Sequence, residues 1–270
     1  MQNWRILKLE AHDAFMNMAI DEAILRNRVA GLVPNTLRFY RWKPSAVSIG
    51  RFQKLEDEVI LENCRRLGVD VVRRISGGGT VFHDEKGEVT YSVVAATTDM
   101  GTKDVAEVYS RIYAAVSDAL RLIGIASDYS PGNLKNCPNL TVNAKKISGS
   151  AQANKSGVVL QHGTLLMSVD LPKMFTVLRV PWANSCLQVI NVAKGKITSV
   201  QNELGHTLTP ETAVNALAHG FAITFNMQVV ENVQVLQDQL TNEERELAEQ
   251  LYKEKYLTRE WNFEAKSTLG

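Results

Sequence analysis

The chain has 270 residues, long enough for one large domain or a domain with an appendage. Its 45% hydrophobic and 22% charged residues are ordinary for a soluble globular protein and exclude disordered, collagenous and coiled-coil classes. Thirty Lys and Arg against 29 Asp and Glu leave no global field for nucleic acid or an anionic membrane, and the apolar runs fall far short of the ~20 residues that span a bilayer.

Cys64, Cys137 and Cys186 form no CxxC and cannot all pair, so a disulfide framework or structural zinc is not expected. The N-terminal residues alternate apolar and polar without a signal-peptide core. A reducing cytoplasm is the expected location.

In chain order, residues 5–10 read as a strand and a helix begins near Asp13. Met16, Ala19, Ile20, Ala23 and Ile24 fall on one stripe of that helix, with Asp21 and Glu22 among them. Strands are expected at 36–42 and 46–50, split by the breaker Lys43-Pro44-Ser45. A helix through Ile60, Cys64 and Leu67 stops at Gly68, and 69–75 and 88–95 read as strands. The best helix spans 104–123, opened by Asp104 with Glu107 and closed by Gly124; Val105, Val108, Tyr109, Ile112, Val116, Ala119 and Ile123 form its buried face. Residues 140–147 and 158–170 read as a hairpin-like pair around a polar turn. A helix starts at Thr209-Pro210 and runs to about 225. A last one opens with the capping box Thr241-Asn242-Glu243-Glu244, and the boundary before it is expected near 226–240. Strands and helices mix without βαβ alternation, so the expected class is α+β.

The most informative stretch is Arg73-Arg74-Ile75-Ser76-Gly77-Gly78-Gly79-Thr80-Val81-Phe82-His83-Asp84. Three glycines weaken a strand but let a ligand approach the backbone, whose N–H groups bind phosphate or carboxylate oxygens. The two arginines add charge-assisted donors for the same anion. Read alone, the pattern fits a glycine turn with solvated arginines equally well. It is neither a Walker loop nor GxGxxG. A second stretch, Asn143-Ala144-Lys145-Lys146-Ile147-Ser148-Gly149-Ser150-Ala151-Gln152, sets a lysine among small residues where a strand ends at a turn. In isolation that lysine reads as an exposed one. Downstream, His162 and Gly163 sit in the alternating run Leu160–Leu166, where a histidine is more often a structural hydrogen-bonding group than a base.

Taken together, these segments resemble the lipoate–protein ligase A family. The arginine–glycine stretch is similar to its signature. Lys145–Ala151 and Gln161–Leu166 follow as its next motifs in the right order, and Met18–Ala23 and Val47–Gln53 add two more. The likeness covers about residues 5–225. It implies the biotin/lipoate ligase-type catalytic fold, a mixed β-sheet flanked by helices, over residues 1–235, with 236–270 a short helical tail. Such ligases join lipoate to ATP as lipoyl-adenylate, with Mg2+ expected, and pass the acyl group to a lysine on a carrier domain of the 2-oxoacid dehydrogenase E2 or glycine cleavage H type.

Carried over by position, the resemblance makes Lys146 the catalytic lysine touching acyl carbonyl and α-phosphate. The nucleotide- and lipoate-binding set is Arg73, Arg74, Gly77, Gly78, Gly79, Thr80, Val81, Phe82, His83, Asp84, Ser150, His162 and Gly163. No magnesium ligand is singled out beyond Asp84. Cations and N–H donors at such a site offset the repulsion between two reacting anions.

Two departures qualify the match. The tail is too short for the accessory domain of full-length ligases, so a separate accessory subunit is expected for adenylation. Before the lysine strand stands Asn136-Cys137-Pro138-Asn139, and the related octanoyltransferases use a cysteine thioester without ATP. Glu88-Val89-Thr90-Tyr91-Ser92 also resembles a segment of some of those transferases. Against this, Cys137 lies closer in sequence to Lys146 than their nucleophile does, and Gly79 is a ligase feature. The main expectation is therefore an ATP-dependent lipoate–protein ligase, with the Cys137 octanoyltransferase as the alternative.

Overall fold

The computed structural model describes residues 4–133, 137–183, 185–227 and 239–265. Strands β1 (Trp4–His12), β2 (Asn35–Trp42), β3 (Ala46–Ile49), β4 (Asp70–Arg73), β5 (Val81–His83) and β6 (Glu88–Ala96) occupy the first third, together with helices α1 (Ala14–Val29), α2 (Leu55–Glu58) and α3 (Leu61–Leu67). Helix α4 (Val105–Leu122) leads to β7 (Asp128–Ser130), β8 (Asn139–Val142), β9 (Lys145–Lys155) and β10 (Val158–Leu166). Helices α5 (Leu171–Val177), α6 (Cys186–Lys194), α7 (Val200–Leu204), α8 (Pro210–Phe225), α9 (Asn242–Leu251) and α10 (Arg259–Asn262) follow, with a π-helical turn at Tyr252–Tyr256.

Seven strands form one sheet in the order β1-β2-β6-β10-β9-β8-β7, parallel between β1 and β2 and antiparallel elsewhere. A smaller sheet, β4-β3-β5, is likewise mixed. The α+β class with a mixed sheet flanked by helices is thus what the chain adopts. No helix among the described residues is long and apolar enough to cross a membrane.

Strand alternation decides what each face of the large sheet carries. Leu37 and Phe39 of β2 with Val89, Tyr91 and Val93 of β6 bury against Ile112 and Val116 of α4 and Phe221 of α8. The intervening residues point the other way, where Tyr40, Trp42, Val94 and Leu160 pack under α1. Both faces are covered, so β2 and β6 are buried almost throughout.

Helix α1 departs from its expected stripe. Asn17, Asp21 and Glu22 are buried along with the apolar residues, because the C-terminal helices close over the face that a single stripe would leave in water. Each buried polar group there has partners: Asp21 pairs with Arg38, and Glu22 with Lys255 and the Tyr256 hydroxyl. The capping box at Thr241 forms, and Glu244 also accepts from the buried Arg5 guanidinium. The boundary expected near 226–240 falls largely outside the described residues.

Two expected elements are corrected. Residues 140–147 are not one strand: Asn143 and Ala144, both at positive φ, make a two-residue turn between β8 and β9. Residues 148–152, expected as a turn, lie inside β9, which pairs with β10 from Ser148 to Lys155. In α4, Asp104 caps as expected, but Val105 is 54% exposed because it precedes the turn that meets the sheet.

Helices α4 and α8 cross at Gly220. A Cβ there would stand 2.2 Å from the Ala115 carbonyl oxygen and 2.6 Å from the Ala119 nitrogen, backbone atoms that cannot step aside. Gly220→Val should destabilise the protein by about 1–3 kcal/mol through overpacking, read as a lower urea midpoint at unchanged m.

Candidate active site

The pocket opens where the α1-facing side of the large sheet meets the small sheet. One row of residues across the sheet, Tyr40, Thr90, Thr164 and Gly149, supplies its floor together with His162 and Ala151 of the next row. Met18 and Trp42 add apolar wall, and the glycine loop and the residues before β8 form its rim. Of the residues expected from sequence, Arg74, Gly78, Gly79, Thr80, Val81, His83, Lys146, Ser150, His162, Gly163 and Cys137 all line it.

Lys146 arrives through a β-bulge. Asn139 pairs with Gly149 and Thr141 with Lys146, so two steps on β8 match three on β9. The extra residue lets Ile147 and Ser148 both bury away from the pocket, and it turns Lys146 onto the face of Gly149. A Cβ on Gly149 would lie 2.5 Å from Lys146 Cε and Nζ, so the lysine lies across that glycine. The Lys146 backbone is held from outside the sheet: its N–H donates to the Lys196 carbonyl and its own carbonyl accepts from Thr198. Its side chain keeps an exposed edge at the pocket mouth, yet protein crowds the ammonium. That burial lowers its pKa, with the Arg74 charge acting in the same direction and Cys137 opposing.

Cys137 stands on the opposite rim, two residues before β8. The tight β8–β9 turn folds it back beside the lysine strand, and its Sγ would be 3.9 Å from a Cβ on Gly78. Its charge interacts with both Lys146 and Arg74. The loop is tied down one residue later: the Pro138 carbonyl accepts from the Tyr113 hydroxyl, which accepts from Ser150 Oγ, which accepts from Gln161. By contrast Cys64 is buried, its thiol pushed up to about 11 by desolvation, and Cys186 lies at the start of α6 away from the pocket.

Arg74 lies under the glycine loop with all five N–H groups engaged. Nε donates to Ser76 Oγ, Nη1 to the carbonyl and Oγ of Ser48, and Nη2 to the carbonyls of Gly77 and Gly79 at 2.7 Å each. Burial brings its pKa down to about 10, so it stays charged at neutral pH. His162 is also buried, with Nδ1 against Asp21 at 3.0 Å and Nε2 against Ser76 at 2.7 Å. Desolvation lowers its pKa although Asp21 pulls upward. For Asp21 burial acts upward, but Arg38 and His162 outweigh it and hold the carboxyl below its ordinary value.

Four expected binding residues lie elsewhere. Arg73 points to the far side of its strand, where it is 1% exposed and donates to carbonyls of Gly50, Arg51, Gln53, Trp261 and Asn262. Successive residues of a strand face opposite ways, so the pair Arg73-Arg74 cannot both reach one ligand. Phe82 alternates away from Val81 and His83 into the core under the small sheet. Gly77 offers its carbonyl to Arg74 without lining the pocket. Asp84 accepts from the N–H groups of Lys86 and Gly87 and pairs with Lys173, so it is spent on a turn. Among the described residues no group of three His, Cys, Asp or Glu side chains converges to hold a metal ion. Asp84, the residue singled out for Mg2+ from sequence, does not line the pocket.

Sequence reading missed Ser48, Ser76, Asp21, Glu88 and Tyr113 as parts of this site. The available signal was polarity at strand positions whose neighbours are wholly apolar, as in Glu88-Val89-Thr90-Tyr91-Ser92.

This arrangement, a lysine and a cysteine facing each other over a glycine loop, occurs in a fold shared with acyl-transferring enzymes. The chain belongs to the family of the lipoyl protein ligase A/B catalytic domain, whose model matches residues 13–222. It is 35% identical to the octanoyltransferase LipM of Clostridioides difficile over 97% of this chain and 99% of that one, and 33% identical to that of Brevibacillus brevis with the same coverage. Among solved structures it is similar to a bi-partite lipoate protein ligase from Thermoplasma acidophilum, described with its E2 lipoyl domain (32% identity, TM-score 0.84, 98% of each chain). It is also similar to a lipoate-protein ligase A bound with ATP (31% identity, TM-score 0.82, 98% of this chain and 100% of that one).

These relatives overturn the main expectation from sequence. Full-length likeness to octanoyltransferases replaces the ATP-dependent, adenylate-forming ligase. The β8–β9 hairpin, not separation along the chain, sets how Cys137 stands to Lys146.

Gly149→Ala tests the placement of the lysine. The methyl group displaces only the end of a flexible side chain, so thermal stability should stay near parental while octanoyl transfer, the activity of the relatives, falls about 100-fold.

Proposed function

We propose that the protein is an ATP-independent octanoyltransferase that forms an octanoyl thioester on Cys137 and passes the acyl group to a lysine of a lipoyl-accepting carrier domain of the 2-oxoacid dehydrogenase E2 or glycine cleavage H type. The observation that carries this reading is Cys137 at the pocket rim, in the field of Lys146 and Arg74, in a chain whose full-length relatives are octanoyltransferases.

The chemistry follows from energetics. Amide formation from a free acid needs activation, and without ATP the acyl donor must already be activated, as a thioester is. The Cys137 sulfur attacks the donor carbonyl, a C–S bond forms, and the donor's C–S bond breaks with departure of its thiolate. The Lys146 ammonium supplies the proton that thiolate takes up. The carrier lysine amine then attacks the Cys137 thioester, the amide C–N bond forms, and the Cys137 sulfur leaves. The amine's surplus proton returns to Lys146. Desolvation of the ammonium lowers the Lys146 pKa from its ordinary value, the direction that suits a group asked both to give and to take a proton. The Met18, Tyr40 and Trp42 wall offers apolar surface for the alkyl chain. In this scheme an accessory subunit for adenylation has no step to serve.

Incubation with an octanoyl thioester donor in the absence of ATP should place an octanoyl group on Cys137, detectable by peptide mass spectrometry and released by an acceptor domain. Cys137→Ser should abolish transfer, and Lys146→Ala should lower it at least about 100-fold, the usual scale for loss of a proton-transfer group. Undiminished transfer by Cys137→Ser, or transfer that strictly needs ATP, would overturn the reading.

A further inference from the structure

Among the described residues no carboxylate pairs directly with Arg74, although it is only 3% exposed. The nearest acids stand one serine and one histidine away, twice over. Ser76 Oγ is 2.7 Å from His162 Nε2, and His162 Nδ1 is 3.0 Å from Asp21. On the other side Ser48 Oγ is 2.8 Å from His83 Nε2, and His83 Nδ1 is 2.8 Å from Glu88. Both serines accept from Arg74, at Nε and Nη1.

Proton bookkeeping fixes the direction of both chains. Asp21, held ionised, only accepts, so His162 Nδ1 carries the hydrogen and Nε2 of the neutral ring must accept; the Ser48–His83–Glu88 chain repeats this geometry. The serine hydroxyl therefore donates to the histidine and turns its lone pairs to the guanidinium. A protonated ring would reverse this and leave a buried serine hydrogen without an acceptor. Further contacts lock the acids and rings. Asp21 accepts from Arg38 and the Tyr40 hydroxyl, Glu88 accepts from Thr90, and Trp42 stacks on His83 with ring centres 3.9 Å apart.

We propose that these two serine–histidine–carboxylate relays, Ser76–His162–Asp21 and Ser48–His83–Glu88, are positioning elements that fix the Arg74 guanidinium, and through it the glycine loop and the positive field at Cys137. The significance for catalysis rests on the transferase reading above. The loop follows the guanidinium because the two Nη2 hydrogens hold Gly77 and Gly79. Neither serine is placed to attack a substrate: each is at most 2% exposed, with its oxygen already engaged by Arg74 and a histidine. The charged and titratable groups around the imidazoles are Asp21, Arg38, Tyr40, Arg74 and His83 at His162, and Glu88, Arg74 and His162 at His83, with the Lys173–Asp84 pair next along the chain. Those whose charge reaches Cys137 are Arg74, Lys146 and Tyr109.

The test is the rate of Cys137 alkylation by iodoacetamide at pH 7, with peptide mass spectrometry separating it from Cys64 and Cys186. Ser76→Ala and Ser48→Ala each remove an acceptor from Arg74 and should each slow it about tenfold. Restoring a hydroxyl with threonine at either position should bring the rate back. The double variant should lose less than the product of the single losses, because both relays act on one guanidinium. Alanine variants that are folded by circular dichroism but keep parental rates and pH dependence would overturn the proposal. Should Ser76→Ala fail to fold, Ser48→Ala and the isosteric Glu88→Gln decide by the same readout. Alkylation needs no acyl donor, so a protein that behaves as expected here but transfers no octanoyl group would overturn the transferase reading alone.

Discussion

A guanidinium can be kept out of water only where every N–H finds an acceptor, and Arg74 imposes that condition on the whole pocket. Its acceptors come from β3, from the glycine loop and from the serine that opens the loop. The small sheet and the large sheet thus meet on one side chain. The His162 relay belongs to β10 and α1, and the His83 relay to β5 and β6, so four further elements are held to the same point. The three glycines serve this geometry by letting carbonyls turn inward to a cation, not only by letting a ligand approach the backbone.

The placing of Lys146 and Cys137 depends on a different local feature, an irregular strand. A regular β9 would send Lys146 to the opposite face from Gly149 and bury it in the α4 core. One added residue in the strand corrects the facing, and the external clamp from Lys196 and Thr198 satisfies the backbone groups that the bulge takes from the ladder. The same hairpin carries Cys137 back over the pocket. Cys137 and Lys146, the proposed nucleophile and proton donor, therefore share one short supersecondary unit, and Tyr113 ties its free end to α4.

Much of this was legible in the sequence, and the parts that were not share a cause. The glycine loop, Lys146 and His162 stood out because unusual residues cluster there, and α4 and the last helix announced themselves through caps. Asp21 and Glu22 did not read as buried, since periodicity assigns polar residues to water and cannot foresee a second layer of helices over α1. The Asn143-Ala144 turn carries no glycine or proline and passed as strand. Arg73 was mistaken for a second anion donor because adjacency along a strand looks like adjacency in space. The preference for ATP chemistry came from the ligase-like motifs, from Gly79 and from the short count between Cys137 and Lys146, none of which separates two activities built on one fold.

Arg73 carries one more consequence. Its far-side carbonyl partners include Trp261 and Asn262, the Trp261 indole donates to the Arg73 carbonyl, and the Asn262 side chain accepts from the Arg73 N–H. These residues lie beyond residue 222, where the family match ends. The conserved-domain boundary is thus not the boundary of the working unit. On the ribosome, the glycine loop is made long before the partners that brace its root, so Arg73 gains them only when α10 docks.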